Sequence, residues 1–315
     1  MRLALFGIVL LSLAGCGYVG DPLPPALKIP QAVADLSAEQ VGGYLEVKFT
    51  LPQQTLEGLE IKENGRVELR IAETWPDAGE TVEVAPGVTN PKIPTENWAG
   101  KEVTLGLRVA NPKGRFSPWS NLVRLRVEKA VAKPVNLRAE TLAEGVRLHW
   151  DAAAENAEFR IHRLSNLDGV IDKEPLELGR VKERQFLDTG AEFGGTYRYT
   201  VEALVGDARS GLSEPLEITP QDKFPPAAPQ GLTALNGAQS VELSWERGTE
   251  ADLAFFRVYR AAPDGQWKLV ADKQLTANFQ DQQIKSGETW RYAISAVDRS
   301  GNESAKSNEV EINIP

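Results

Sequence analysis

Apolar and polar residues alternate with a period of two along most of this chain, in short runs separated by Gly, Pro, Asn and Asp. Val146, Leu148 and Trp150 share one parity, as do Phe159 and Ile161, and Tyr197, Tyr199, Val201 and Ala203. Successive side chains of a strand point to opposite faces, so each set defines the buried side of a half-buried strand. No long stretch keeps a convincing helical period, and the pattern predicts an all-β protein.

The runs also repeat. Leu137, Val146, Leu148 and Trp150 recur as Leu232, Val241, Leu243 and Trp245, each displaced by 95 positions. Phe159 and Ile161 recur as Phe256 and Val258 after 97. Phe186, Asp188, Tyr197, Tyr199, Val201 and Ala203 recur as Phe279, Asp281, Trp290, Tyr292, Ile294 and Ala296 after 93. Strands of fixed length joined by loops of variable length produce such a slowly drifting offset. A more divergent copy precedes these two. Leu36, Leu45, Val47 and Phe49 fit its first two strands, with Phe49 at the tryptophan position; Val67, Leu69 and Ile71 fit the third. Val103, Leu105, Leu107 and Val109 fit the long sixth strand. Asn111 and Gly114 follow Val109 at the spacing by which Asp298 and Gly301 follow Ala296, which marks a turn into the last strand. Seven short strands in about 90 to 100 residues, with Trp on the second, describe an immunoglobulin-like sandwich without its disulfide.

The last two copies resemble fibronectin type III modules. They carry a proline-led first strand at Pro134 and Pro229, Trp150 and Trp245 on the second, and the family's alternating sixth strand over Tyr197 to Ala203 and Trp290 to Ala296. The first copy lacks the Trp and has Val103 where the family has a corner tyrosine; Trp290 replaces that tyrosine in the third. The resemblance implies three tandem β-sandwiches over residues 31–129 (divergent), 130–220 and 224–315, with a tyrosine corner carried over only to Tyr197. The joints Lys133-Pro134 and Lys223 to Pro229 are short and proline-marked, which predicts a semi-rigid rod. Phe116-Ser117-Pro118-Trp119-Ser120 resembles a degenerate WSxWS box of cytokine-receptor modules. That implies a stack of aromatic rings and guanidinium groups, with Arg108, Arg124 and Arg126 as the candidate cations.

The opening residues set an address. Arg2 is followed by the uncharged stretch Leu3 to Leu13, long enough for a signal-peptide core and too short to span a bilayer. Leu13-Ala14-Gly15-Cys16 resembles a bacterial lipobox, which implies that residues 1–15 are a lipoprotein signal peptide cleaved after Gly15. Cys16 would then carry S-diacylglycerol and an N-acyl group, and residues 16–30, with Pro22, Pro24, Pro25 and Pro30, would be a spacer. Two or more acyl chains hold a protein on a membrane stably, where one does not. An ordinary secretory signal with an incidental cysteine is the alternative. Gly17 after the cysteine points to the outer membrane rather than the inner by resemblance to the enterobacterial sorting pattern.

Composition narrows the chemistry. One Cys, two His and one Met among 315 residues leave no disulfide framework and almost nothing to hold zinc, copper or an iron-sulfur cluster. Lys plus Arg is 35 against 44 Asp plus Glu, a net charge of -9 without any basic run, which argues against nucleic acid as a partner. Loss of Arg2 on processing makes that -10, a balance that does not favour docking on anionic headgroups. His149 and His162 have parity opposite to the core residues, which predicts that both face solvent, on strands of different sheets. No nucleophile elbow and no carboxylate dyad stands out, and the double glycines at 42 and 194 read as turns. The reading therefore assigns no catalytic residue, no cofactor and no metal ligand, and the chain is not expected to be an enzyme. Trp75, Trp98 and Trp267 fall outside the core pattern and serve either as packing or as a sugar-stacking platform.

The function expected is that of a membrane-anchored envelope lipoprotein, a non-catalytic protein-interaction or spacer rod with an envelope protein as its partner. The alternative is a surface carbohydrate-binding or adhesion protein, with polysaccharide as the ligand. A third reading is an accessory lipoprotein of an outer-membrane assembly machine. It rests on Cys16-Gly17-Tyr18-Val19-Gly20-Asp21-Pro22-Leu23, which resembles the Cys-Gly-x-Lys-Gly-Pro-Leu opening of small lipoproteins associated with the lipopolysaccharide-inserting translocon; Val19 replaces the lysine and Asp21 interrupts Gly-Pro.

Overall fold

The computed structural model describes residues 27–76 and 78–315, in two compact units that divide between Ala130 and Val131. The expected signal peptide, the expected lipidation site at Cys16 and the expected spacer up to residue 26 lie outside the described residues. Among the described residues there is no helix long and apolar enough to cross a membrane, and every regular element is a strand.

The first unit contains β1 (Ser37–Val41), β2 (Tyr44–Lys48), β3 (Val67–Thr74), β4 (Ala78–Val84), β5 (Lys92–Pro94), β6 (Glu102–Val109) and β7 (Val123–Arg126). All pairings are antiparallel, in the orders β1-β2-β5 and β4-β3-β6-β7. The two sheets enclose Leu45, Val47, Val67, Leu69, Ile71, Val103, Leu105, Leu107 and Val109, the residues whose alternation predicts them inside. Phe49 takes the second-strand aromatic position, and Trp98, from the loop between β5 and β6, completes the core at 8% exposure. Of the two readings of Trp98, packing is the one that its burial bears out. A loop residue has no periodicity to betray its burial.

The second unit opens with β8 (Val135–Leu142), β9 (Gly145–Asp151), β10 (Glu158–Leu167), β11 (Val170–Ile171), β12 (Leu176–Val181), β13 (Gln185–Asp188), β14 (Thr196–Val205), β15 (Ala208–Arg209) and β16 (Leu216–Ile218). One sheet runs β8-β9-β13; in the other β10 joins β11 and β12 on one side and β14 on the other, and β14 continues to β15 and β16. It continues with β17 (Thr233–Asn236), β18 (Val241–Ser244), β19 (Leu253–Ala261), β20 (Lys268–Gln274), β21 (Asn278–Asp281), β22 (Thr289–Asp298) and β23 (Val310–Asn313). These form sheets in the orders β17-β18-β21 and β20-β19-β22-β23. Each sandwich has its own core, one built on Trp150 against Phe159 and the other on Trp245 against Phe256. The ring pairs are equivalent, edge to face at 5.4 and 5.3 Å. Three sandwiches with this strand order are the fold that the fibronectin type III resemblance implies.

The joint between the second and third sandwiches is bound on both sides. Phe224 stacks at 6.1 Å on Phe193, Asn302 Nδ2 donates to the Asp222 carbonyl, and the Ala227 amide donates to Glu250. The turns leading to the last strands are also as expected. Asn111 Oδ1 accepts from the Lys113 and Arg115 amides and Asp298 Oδ1 from the Asn302 amide, with Gly114 and Gly301 at φ of 78° and 89°, where a side chain is disfavoured.

Candidate functional site

The outer face of the larger sheet in each sandwich is organised by a serine pair. Ser117 and Ser120 lie in an extended segment that runs beside β6 without forming a ladder strand. Each amide donates to β6, to the Val109 and Leu107 carbonyls, and each hydroxyl accepts from β6, from the Val109 and Leu107 amides at 3.0 and 3.1 Å. Ser210 and Ser213 do the same to Ala203 and Val201, and Ser304 and Ser307 to Ala296 and Ile294. The hydroxyls thus stand in for the ladder carbonyls that an irregular segment cannot supply. Sequence analysis missed this clip, although a Ser-x-x-Ser spacing recurs at near-constant intervals through the three modules.

The clip brings together outward side chains from the third strand, the sixth strand and the serine segment. Because Val67, Phe159 and Phe256 face Val109, Ala203 and Ala296 across the sheet, equivalent positions are unambiguous. They carry different chemistry in each module. In the first, Arg108 lies 4.2 Å over Phe116 and 4.7 Å over Trp119 while binding Glu68 at 2.9 Å. Arg66 extends the stack over Phe116 and Arg70 over Trp119, and Trp75 meets Trp119 edge to face at 4.9 Å. Gly106 makes room for this: a Cβ there would sit 2.5 Å from the Trp75 ring.

The predicted participation of Arg108 agrees with this geometry, whereas Arg124 and Arg126 require correction. They pair with Thr104 and Glu102 at the other end of β6, away from the level of Phe116 and Trp119, and Arg126 lies 3.6 Å from Glu128 instead. The cations from β3 and the residue preceding it take their place.

In the second sandwich the same positions surround a buried carboxylate. Glu202 lies 3.3 Å from Arg160, 3.5 Å from Arg209 and 3.2 Å from His162 Nε2. His162 is therefore half-buried and partnered rather than solvated, and His149 is half-buried too, on the opposite sheet. In the third sandwich Ser295 replaces the carboxylate, and Glu303 accepts from Arg257, Ser295 and Tyr259. Burial pushes the Glu303 carboxyl upward, but these hydrogen bonds outweigh it and hold its pKa below the usual value. Lys306 covers the Tyr259 ring at 4.4 Å. These faces hold cations, carboxylates and rings in fixed positions.

Inside the second and third sandwiches a different group repeats. Asp188 accepts from Arg163 and Tyr199, both at 2.7 Å, and Asp281 from Arg260 and Tyr292 at 2.7 and 2.9 Å. Burial, and then the bond to the neighbouring carboxylate, pushes both tyrosine hydroxyls well above their ordinary pKa. The tyrosine corner expected at Tyr197 is formed, its hydroxyl accepting from the Glu192 amide at 2.7 Å; Trp290 instead donates to Glu288.

Of the three tryptophans outside the core pattern, Trp98 is in the first core, Trp75 lies against Trp119, and Trp267 lies under Arg291. Asp222, Asp252 and Asp298 bring one carboxylate oxygen each within 4.8 Å of one another, the described group with the reach of a metal site. Both Asp298 oxygens already accept from Asn302, and Asp222 accepts from the Phe224 amide.

No protein-family model matches the chain. Among curated proteins it is 26% identical over 189 residues to exoglucanase B of Cellulomonas fimi, covering 56% of this chain and 16% of that protein. It is 32% identical over 109 residues to an amylopullulanase of Thermoanaerobacter thermohydrosulfuricus, covering 34% and 6%. The chain thus spans a small fraction of the length of these relatives. Among solved structures, a two-module fibronectin type III segment of chicken tenascin aligns with 57% of this chain and 99% of its own, at 18% identity and a TM-score of 0.40.

Proposed function

We propose that the protein is an envelope lipoprotein, anchored through acylated Cys16, that displays tandem sandwiches as a non-catalytic protein-interaction module. The observation that supports this is the contrast between the conserved plan and the variable furnishing of the three outer faces. The serine clip repeats unchanged, while the ladder it presents is aromatic and cationic in the first module, carboxylate-centred in the second and tyrosine-glutamate in the third. Rigid rings and guanidinium groups held by a scaffold are the residue types that concentrate binding energy at protein interfaces.

Two measurements test the reading. Mass spectrometry of the mature first peptide is expected to show an acylated Cys16, and Cys16→Ser to move the protein out of the membrane fraction. A photo-crosslinker at Trp119 is expected to capture a defined envelope protein, with capture lost in Arg108→Ala. An unmodified Cys16, or crosslinking indifferent to Arg108, contradicts the corresponding half.

A second reading is binding of polysaccharide. It is favoured by the half-buried pair Trp75 and Trp119 and by relatives named for action on glucans. Retention on insoluble glucan that disappears in Trp119→Ala supports it, and absence of retention by the intact protein excludes it.

A further inference from the structure

The pole of the first sandwich at which the described residues begin presents three exposed leucines beside a lysine-lined groove. Asn111 Nδ2 donates to the carbonyls of Leu27 and Lys28, Pro30 bridges to Thr55, and the Leu56 amide donates to the Ile29 carbonyl. The loop from 51 to 65 thereby grips the incoming chain. Its tip is a tight turn in which Gly58, at φ 77°, and Leu59 donate to Thr55, and the Thr55 amide donates to the Leu59 carbonyl. Leu27, Leu56 and Leu59 are 48, 54 and 45% exposed on this pole. Beside them a groove of about 590 Å³ is lined by Lys28, Lys62 and Lys113 together with Glu60 and Glu63.

We propose that this pole seats on the surface of a zwitterionic phospholipid bilayer, the three leucines entering the interface and the three lysines meeting phosphates. The inference rests on the anchoring of Cys16 proposed above. Three arguments support it. The amides of Thr55, Leu56, Gly58 and Leu59 already have acceptors, which lowers the cost of placing the turn in a poorly hydrated layer. Leucine with lysine is the pairing that suits a boundary, since the ammonium reaches outward while the stem stays with apolar neighbours. The occupant follows from where the chain outside the structure ends. Eleven positions separate Cys16 from Leu27, a reach of at most about 40 Å at roughly 3.3 to 3.6 Å per residue. A tether of that length turns docking into an intramolecular event at about millimolar effective concentration, so a weak contact suffices. The first sandwich ends at its other pole, where Ala130 lies beside Gly43.

The nearby carboxylates Glu57, Glu60 and Glu63 balance the lysines, so the contact is apolar in origin and needs no anionic lipid. The test uses the full lipidated protein in vesicles of phosphatidylethanolamine and phosphatidylcholine. Acylation consumes the Cys16 sulfur, so a thiol in Leu59→Cys is unique and takes an environment-sensitive fluorophore; Leu275→Cys, in the third sandwich, is the reference. The expected result is a blue shift and quenching by lipid-borne nitroxide at 59 but not at 275, unchanged by salt. A protein that floats with the vesicles while its label at 59 stays aqueous overturns the docking and leaves the anchor intact. A blue-shifted label that lipid-borne nitroxide cannot quench overturns it too, since residues 17–26 or a second copy then cover the pole. A protein that does not float overturns both readings.

Discussion

Tyr199 donates a 2.7 Å hydrogen bond to Asp188 inside the second sandwich, and Asp188 takes a second from Arg163 at the same distance. Arg163 is 14% exposed and Asp188 5% at the side chain, so removal of the carboxylate strands a cation. Asp188→Ala is expected to destabilise the second sandwich by about 3 to 5 kcal/mol. Tyr199→Phe, which leaves the ion pair in place, is expected to cost about 1.5 to 3 kcal/mol. Urea unfolding of the full chain, with hydrogen exchange to assign the transition to β13 and β14, measures both. Equal costs for the two substitutions would contradict the stranded-charge argument.

The same tyrosine makes the stability pH-dependent in the alkaline range. Its folded pKa is raised, so the unfolded chain releases the phenolic proton first, and the stabilisation is complete below the unfolded value of about 10 and is lost as pH rises above it. Tyr292 behaves alike in the third sandwich. Melting temperature is expected to fall with pH from about 10 upward, and the slope to become shallower in Tyr199→Phe and shallower again when Tyr292→Phe is added. A slope indifferent to both substitutions counts against the assignment.

The serine clips yield a third prediction. Each hydroxyl accepts from a sixth-strand amide, and Leu107, Val201 and Ala296 are buried, leaving no water to replace it. Ser120→Ala, Ser213→Ala and Ser304→Ala are each expected to cost about 1 to 3 kcal/mol, the desolvation penalty of an orphaned donor. The loss should be confined to the sandwich that carries the change and is read by limited proteolysis of that module. Cleavage rates equal to those of the unsubstituted protein would show that the hydroxyls carry no load.

The interior of this protein was legible because its residues obey the alternation of a strand. Val146, Leu148 and Trp150 point inward by parity alone, and the offsets to Val241, Leu243 and Trp245 repeat the evidence. The outer faces were not legible for a related reason. Arg108, Glu202 and Ser295 occupy equivalent positions but share no chemistry, so nothing in the repeat marks them as one site. The serine segment was hidden differently: two small polar residues three apart carry meaning only once the register of β6 places amides opposite them. Arg124 and Arg126 show the converse error, in which nearness in sequence to Trp119 stands for nearness in space.

Trp98 tests how the first sandwich manages without a tryptophan on its second strand. Phe49 is the smaller ring at that position, and the indole from the loop between β5 and β6 adds to the same core from the end of β2 where the Thr95 amide donates to Gly43, with Lys101 over its ring at 5.5 Å. Deletion of a buried aromatic costs about 3 to 5 kcal/mol, so Trp98→Ala is expected to destabilise the first sandwich to the degree that Trp150→Ala destabilises the second and Trp245→Ala the third. The second and third transitions should be unchanged by Trp98→Ala, because their cores contain no residue of the first. Trp75→Ala provides the contrast. Its ring lies on the outer face against Trp119, so its loss is expected to cost less in stability than that of Trp98. If Trp98→Ala leaves the first transition in place, the indole is not a core element.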